Sequence, residues 1–166
     1  HIHHILHSST APAPISESIA HQAYTLAEQL ADTLEVVGLL AVEFFLKQDD
    51  QLIINEMAPR PHNSGHYTID ACHTSQFQQH IRAITGLPLG KTDTHTPAAM
   101  VNILGDLWSE TPPHWNLLFK NPSTQLHLYD KGEARKGRKM GHYTVLDENL
   151  SLAKKKAEAL FLELKG

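Results

Sequence analysis

Cysteine is nearly missing from this chain. Cys72 is the only one, so no disulfide framework can form, and a reducing, cytoplasmic setting is the simplest reading. An excess of basic charge is missing too: the net charge of −4, with 13 histidines counted as neutral, argues against general nucleic-acid binding. No apolar run approaches the length of a membrane span. Internal repeats, low-complexity tracts and a glycine-rich phosphate loop are also absent. The opening His1-Ile-His-His-Ile-Leu6 lacks an initiating Met and has neither the charge pattern of a signal peptide nor the uniformity of a tag. It reads as part of a strand, and the chain reads as a fragment. A weak metal site at His1, His3, His4 and His7 is the lesser alternative, because these histidines follow no compact ligand spacing. What remains is an ordinary globular composition, 41% hydrophobic and 19% charged over 166 residues. That is room for one or two small domains with real cores.

Chemistry concentrates in Ile53-Ile-Asn-Glu-Met-Ala-Pro-Arg-Pro-His-Asn-Ser-Gly-His66, where an apolar strand runs into a carboxylate, a guanidinium, two imidazoles and an amide. A second apolar strand, Leu39-Leu-Ala-Val-Glu-Phe-Phe-Leu46, carries the acid Glu43, and the polar run 47–51 joins the two as a hairpin. If the turn is centred on Asp49-Asp50, Glu43 faces Glu56 on one side of the ladder. Two carboxylates so placed repel and would be partly desolvated between Phe45 and Ile54, so a positive group should stand between them. Hard oxygen ligands suit Mg²⁺. The same pattern also fits an unligated pair at an exposed sheet edge, or two acids neutralised by lysines. The sequel favours a site: Arg60 is fixed between Pro59 and Pro61, with His62, Asn63, Ser64 and His66 directly after it.

The strands bearing Glu43 and Asn55-Glu56 resemble the metal and nucleotide site of the ATP-grasp superfamily. The continuation Met57-Ala-Pro-Arg-Pro-His-Asn-Ser-Gly-His66 is similar to one branch of it, the 5-(carboxyamino)imidazole ribonucleotide synthase family of purine biosynthesis. The likeness extends through Ser75-Gln-Phe-Gln-Gln-His-Ile-Arg-Ala-Ile-Thr-Gly-Leu-Pro-Leu89 and resumes at Tyr129-Asp-Lys-Gly-Glu-Ala-Arg-Lys-Gly-Arg-Lys-Met-Gly-His142. It covers nearly the whole chain. Many ATP-grasp enzymes place an asparagine two residues after the second acid, where this chain has Ala58. The resemblance implies an upstream N-terminal domain and an ATP-clamping lid, so this fragment is expected to be inactive alone.

The resemblance also implies a carbon–nitrogen ligase in which ATP phosphorylates bicarbonate to carboxyphosphate and the amine of 5-aminoimidazole ribonucleotide takes up the carboxyl group. Glu43 and Glu56 would hold Mg²⁺, and Asn55 and Glu56 the nucleotide. Arg60, His62 and Asn63 would line the pocket for bicarbonate, with His66 either touching substrate or supporting the loop. Lys131 and Arg138 would hold the ribonucleotide phosphate, helped by Arg135. Read without the resemblance, Lys131-Gly-Glu-Ala-Arg-Lys-Gly-Arg-Lys139 fits a solvated hairpin tip as well as a phosphate loop. The family reading brings that loop close to Arg60, His62 and Asn63 and makes the full-length protein a homodimer. The rival readings are another ATP-grasp carboxylase or ligase, or a non-catalytic binding or assembly module.

The resulting fold class is α+β. Residues 1–90 are expected to form the C-terminal part of an ATP-grasp domain, an antiparallel sheet with helices. Residues 91–166 should form a small, mostly β domain with a C-terminal helix, the polar stretch 90–97 marking the boundary. Within the first, 8–15 reads as a loop, and Ser16 or Ser18 caps a helix to about Leu34 whose stripe Ile19, Ala23, Leu26, Ala27, Leu30 and Leu34 should be core. A helix over 75–85 should end at Gly86. In the second, strands are expected over 98–104, 125–130 and 140–146, and an amphipathic helix over 150–164 with Lys154, Lys155 and Lys156 on its solvated face. Trp115 should fill a small core, and His142 should be a packed strand residue. Cys72 should be a small buried residue.

Overall fold

The computed structural model describes residues 1–2, 4–108 and 112–165. In chain order its elements are β1 (Ser8–Ala11), α1 (Glu17–Thr33), β2 (Ala41–Leu46), β3 (Leu52–Ala58), α2 (Thr68–Ala71), α3 (Gln76–Ile84), β4 (Ala98–Leu104), β5 (Thr124–Leu128), β6 (Lys139–Leu146) and α4 (Leu150–Lys165). Short 3₁₀ turns stand at Asn63–Gly65, Gly105–Leu107 and Trp115–Lys120. Two compact units result: one takes His1–Pro12, Asp70–Cys72 and Thr94–Gly166, the other Ala13–Ile69 and His73–Asp93.

The first unit is an antiparallel sheet ordered β1-β4-β6-β5. On one face Ala99, Val101 and Ile103 of β4 and Tyr143 and Val145 of β6 meet Ala153, Ala157, Leu160 and Leu164 of α4 in a single core. The helix residues recur at the spacing of one apolar stripe, while Lys154, Lys155 and Lys156 are exposed. Asn149 starts α4 by accepting from the backbone N–H groups of Ser151 and Leu152. Tyr143 is fully buried and donates to the Ala157 carbonyl at 2.7 Å; burial pushes its phenol well above the ordinary range. Trp115 packs against this core and meets Trp108 edge to face at 5.3 Å. Met100, Asn102, His142 and Thr144 on the other sheet face are buried as well.

The N-terminal expectation needs correction. The strand is Ser8–Ala11 rather than 1–6, and it pairs with β4, Ser8 facing Val101. Residues 1–12 therefore belong with 94–166. The loop-like polar composition of Ser8-Ser-Thr-Ala11 hid a strand whose register is fixed by its neighbour, with Asn102 donating to the Leu6 carbonyl at 3.0 Å and bonding the His7 carbonyl through its N–H at 2.8 Å.

The second unit is built on the β2-β3 ribbon with α1 and α3. Ser16 caps α1 by accepting from the Ile19 N–H. Its apolar stripe is only partly core: Ile19 is buried, Ala23, Leu26, Ala27 and Leu30 are half-buried, and Leu34 is 53% exposed. Helical periodicity marks which face turns inward, whereas how much of it is covered depends on the width of what it packs on. α3 begins with a capping box, Ser75 and Gln78 each bonding the other's backbone, and Gly86 follows it at φ +69°.

Candidate active site

Branched and aromatic residues, Val42, Phe44, Phe45, Ile53 and Ile54, give β2 and β3 their extended backbone. The connection closes with Lys47 N–H donating to the Gln51 carbonyl at 2.9 Å, and Asp50 sits at φ +60°. This turn is one residue out of step with a turn centred on Asp49-Asp50, because Leu46 faces Leu52 and Phe44 faces Ile54. A bulge between Glu43 and Phe44 then takes up Asn55 as the extra residue and brings Glu43 opposite Glu56. The facing pair is reached through turn and bulge together.

Both carboxylates lie on one side of the ribbon, since both approach one imidazole. His62 Nδ1 is 3.4 Å from Glu43 Oε1, and His62 Nε2 is 3.8 Å from Glu56 Oε1. Among the described residues neither acid pairs with a lysine or arginine, so the lysine-neutralised alternative is not what the fold builds. An imidazole stands beside the pair, a positive group only when it is protonated. The donor set fits a hard divalent ion: two convergent carboxylates, with Asn55 next to one of them.

The loop after β3 carries the residues predicted for the bicarbonate pocket. Arg60 is exposed, its backbone N–H on the Ala58 carbonyl and its Nη1 on the Pro61 carbonyl at 3.2 Å. His62 and Asn63 are half-buried, and His62 Nδ1 lies 2.9 Å from Ser64 Oγ. Gln76, which sequence reasoning missed, holds this loop. Its Oε1 accepts from the His62 N–H at 2.9 Å, its Nε2 donates to the His62 carbonyl at 2.8 Å, and the same Nε2 is 2.7 Å from His66 Nδ1. A helix over 75–85 was legible in the sequence, but not the direction in which Gln76 points.

The cationic loop 131–139 belongs to the other unit, where it is anchored rather than free at its tip. Asp106 accepts from the Gly137 N–H at 2.6 Å, and Gly105 N–H donates to the Arg138 carbonyl at 2.8 Å. A Cβ on Gly105 would overlap the Arg135 carbonyl oxygen, so the loop backbone lies directly on this glycine. Gly132 and Gly137 take φ +66° and +72° and make the bends. Lys131 and Arg135 are exposed and Arg138 half-buried, with Lys131 Nζ 5.2 Å from the Tyr129 ring. Within the loop Arg135 lies 3.6 Å from the Glu133 carboxylate, and Arg138 Nη1 donates to the Glu133 carbonyl at 3.4 Å.

His142 is packed on its strand as expected, with Nδ1 2.6 Å from the Tyr129 hydroxyl. Opposite it, His127 stacks on the same ring at 4.6 Å and pairs with Asp70 at 2.9 Å. The carboxylate and the two imidazoles offer ligand atoms within 4.8 Å of one another. The ring planes differ by only 16°, so their in-plane lone pairs run side by side instead of converging on one ion. This is a stacked, hydrogen-bonded array and not a formed metal centre. Cys72 is half-buried, 3.7 Å from Thr94 Oγ1, rather than deep in a core.

With this geometry in hand, the chain matches the ATP-grasp domain family over residues 1–77 and the phosphoribosylaminoimidazole carboxylase C-terminal domain family over residues 98–156. It is 54% identical over 152 residues to N5-carboxyaminoimidazole ribonucleotide synthase of Bacillus subtilis (strain 168), an alignment covering 89% of this chain and 38% of that protein. Among solved structures it resembles an ADP complex of N5-carboxyaminoimidazole ribonucleotide synthetase, with TM-score 0.87, 49% identity, and coverage of 98% of this chain and 42% of that one. It also resembles the Aspergillus clavatus N5-carboxyaminoimidazole synthase in complex with ADP and 5-aminoimidazole ribonucleotide, with TM-score 0.89, 36% identity, and coverage of 98% and 44%. The chain thus spans about two fifths of the length of these relatives. The conjunction of facing acids, proline-bound arginine loop and anchored cationic loop with these matches assigns the chain to the N5-carboxyaminoimidazole ribonucleotide synthase family of ATP-grasp ligases.

Proposed function

We propose that this chain supplies the metal, bicarbonate and ribonucleotide-phosphate groups for ATP-dependent carboxylation of 5-aminoimidazole ribonucleotide in purine biosynthesis. The observation that carries the reading is the facing of Glu43 and Glu56 beside His62, at the head of a loop held by Pro59 and Pro61. In the reaction, a bicarbonate oxygen attacks the γ-phosphorus of ATP, ADP leaves, and carboxyphosphate forms. The substrate's exocyclic amine then attacks the carboxyl carbon, and inorganic phosphate leaves. Mg²⁺ held by Glu43 and Glu56 would neutralise charge on the β and γ phosphates.

The chain's own residues divide the remaining work. Asn55, the extra residue of the bulge beside Glu56, orients the nucleotide. Arg60 offers a planar fork to bicarbonate and its phosphorylated form, and His62 and Asn63 add donors beside a backbone bonded by Gln76. Carboxyphosphate decomposes in water, so a proline-stiffened loop is suited to sheltering it. Lys131 and Arg138, with Arg135 as helper, bind the ribonucleotide phosphate from the loop anchored on Gly105 and Asp106. The reading assigns the phosphate of the ribonucleotide to loop 131–139 and its reacting amine to the loop of Arg60, His62 and Asn63. No described helix is long and apolar enough to cross a membrane. A cytoplasmic homodimer is part of the same proposal.

The deciding experiment supplies the natural polypeptide with MgATP, 5-aminoimidazole ribonucleotide and ¹³C-bicarbonate and follows label and ADP together. Label transferred to the ribonucleotide amine, one per ADP formed, is the expected result. ADP formation without labelled ribonucleotide, or label passed to a different acceptor, rejects it.

A further inference from the structure

Gln76 is the first residue of α3 and only 8% exposed, yet its side chain reaches back to the loop that carries His62, Asn63 and His66. Its oxygen accepts from the His62 N–H, while its nitrogen approaches both the His62 carbonyl, at 2.8 Å, and His66 Nδ1, at 2.7 Å. The amide cannot be turned over, because exchanging its ends would set NH₂ against the His62 N–H and oxygen against the His62 carbonyl. A carboxamide nitrogen has two hydrogens. One goes to the His62 carbonyl, so the other must meet His66 Nδ1, which can then only accept. The proton of neutral His66 is thereby placed on Nε2.

The surrounding loop is shaped to this amide. A Cβ on Gly65 would stand 2.8 Å from Gln76 Oε1, so a glycine lets the loop close over the side chain. The Thr68 hydroxyl donates to the Gly65 carbonyl at 2.6 Å and accepts from the Gln76 N–H at 3.0 Å, tying both ends of the arrangement together.

We infer that Gln76 is the positioning residue of the His62–His66 loop, fixing the His62 backbone and holding His66 as the tautomer with its proton on Nε2. It touches no reacting atom; it acts through His62 and His66. The inference rests on the reading of His62 and Asn63 as the bicarbonate pocket only for its kinetic consequence, since the tautomer follows from the hydrogen bonds alone.

The test has two arms. In the unmodified chain, ¹⁵N NMR of the histidine rings at pH 8 should show His66 with Nδ1 bare and Nε2 protonated, and a scalar coupling across the hydrogen bond from Gln76 Nε2 to His66 Nδ1. Gln76→Glu replaces the donor by an acceptor and should move the ring proton to Nδ1. In the natural polypeptide, Gln76→Met, similar in size and without the amide, should lower kcat for carboxylation by about 10- to 100-fold and leave KM for ATP within about twofold. A His66 Nδ1–H in the unmodified chain overturns the tautomer assignment even if the variants fail to fold. Wild-type kcat in Gln76→Met overturns the positioning role. An unmodified protein that carboxylates nothing, but shows the bare Nδ1 and the coupling, refutes the proposed reaction and leaves the tautomer assignment standing.

Discussion

Glu56→Gln removes one charge from a pair that faces across the β2–β3 ladder, and the geometry sets how much that should change. Like charges directly opposite on a ladder cost about 0.2–1 kcal/mol. Glu56 has a side chain 56% exposed against 32% for Glu43, which puts the repulsion at the lower end of that range because solvent screens it. Against this relief stands the loss of one contact at 3.8 Å to His62, which even with the ring charged is a partly exposed pair worth at most about 1 kcal/mol. The two nearly cancel, so thermal unfolding of Glu56→Gln should move by less than about 3 °C in either direction. Metal binding should not survive so well. For the unmodified protein with MgATP at ten times its dissociation constant, linkage adds about 1.4 kcal/mol of stability, and both Glu56→Gln and Glu43→Gln should lose most of it. Circular-dichroism melts of the three proteins in EDTA, and again with MgATP, measure both effects. A loss above about 2 kcal/mol in EDTA would make the acids structural, and undiminished protection by MgATP in both variants would remove them from the metal site.

Arg138→Ala should weaken ribonucleotide binding by roughly 1.5–3 kcal/mol with ATP affinity hardly changed, and calorimetric titration of each ligand checks this; equal losses for both would return the loop to a plain surface turn. Gly105→Ala should weaken the same binding without removing any charge, because the added methyl group must displace the Arg135 backbone; unchanged ribonucleotide affinity would show that the loop's anchorage has no part in phosphate binding. His7, edge to face with Phe161 at 4.5 Å, has its imidazole held below the ordinary value chiefly by desolvation. The unfolded chain therefore binds the proton more readily, so His7's contribution is fully present above the ordinary imidazole range and is lost as pH falls through it. Urea titrations at pH 7.5 and pH 5 should show a smaller acid-side loss in His7→Leu than in the unmodified chain, and an equal or larger loss would contradict the desolvation argument.

Much of this molecule was legible locally. A helix start was legible at Ser16 or Ser18, of which Ser16 is the cap, because a cap is a short-range hydrogen bond, and Gly86 marked an end because a left-handed residue there favours glycine. Lys154, Lys155 and Lys156 marked the solvated face of α4, which is exposed. The motif from Asn55 to His66 held the chemistry of the site in consecutive residues, which is why candidate ligands could be named from it. Tertiary structure decided what depends on partners far away in sequence. Ser8–Ala11 is a strand only because β4 offers an edge in register. The bulge at Asn55 corrects a turn whose length alone would have misplaced the two acids. Gln76 belongs to the site because its amide happens to span the backbone of a residue fourteen positions earlier. His127 meets Asp70 across a separation of 57 residues. Sequence periodicity carries direction along an element, but hydrogen-bond partners at such separations are set by how the elements pack.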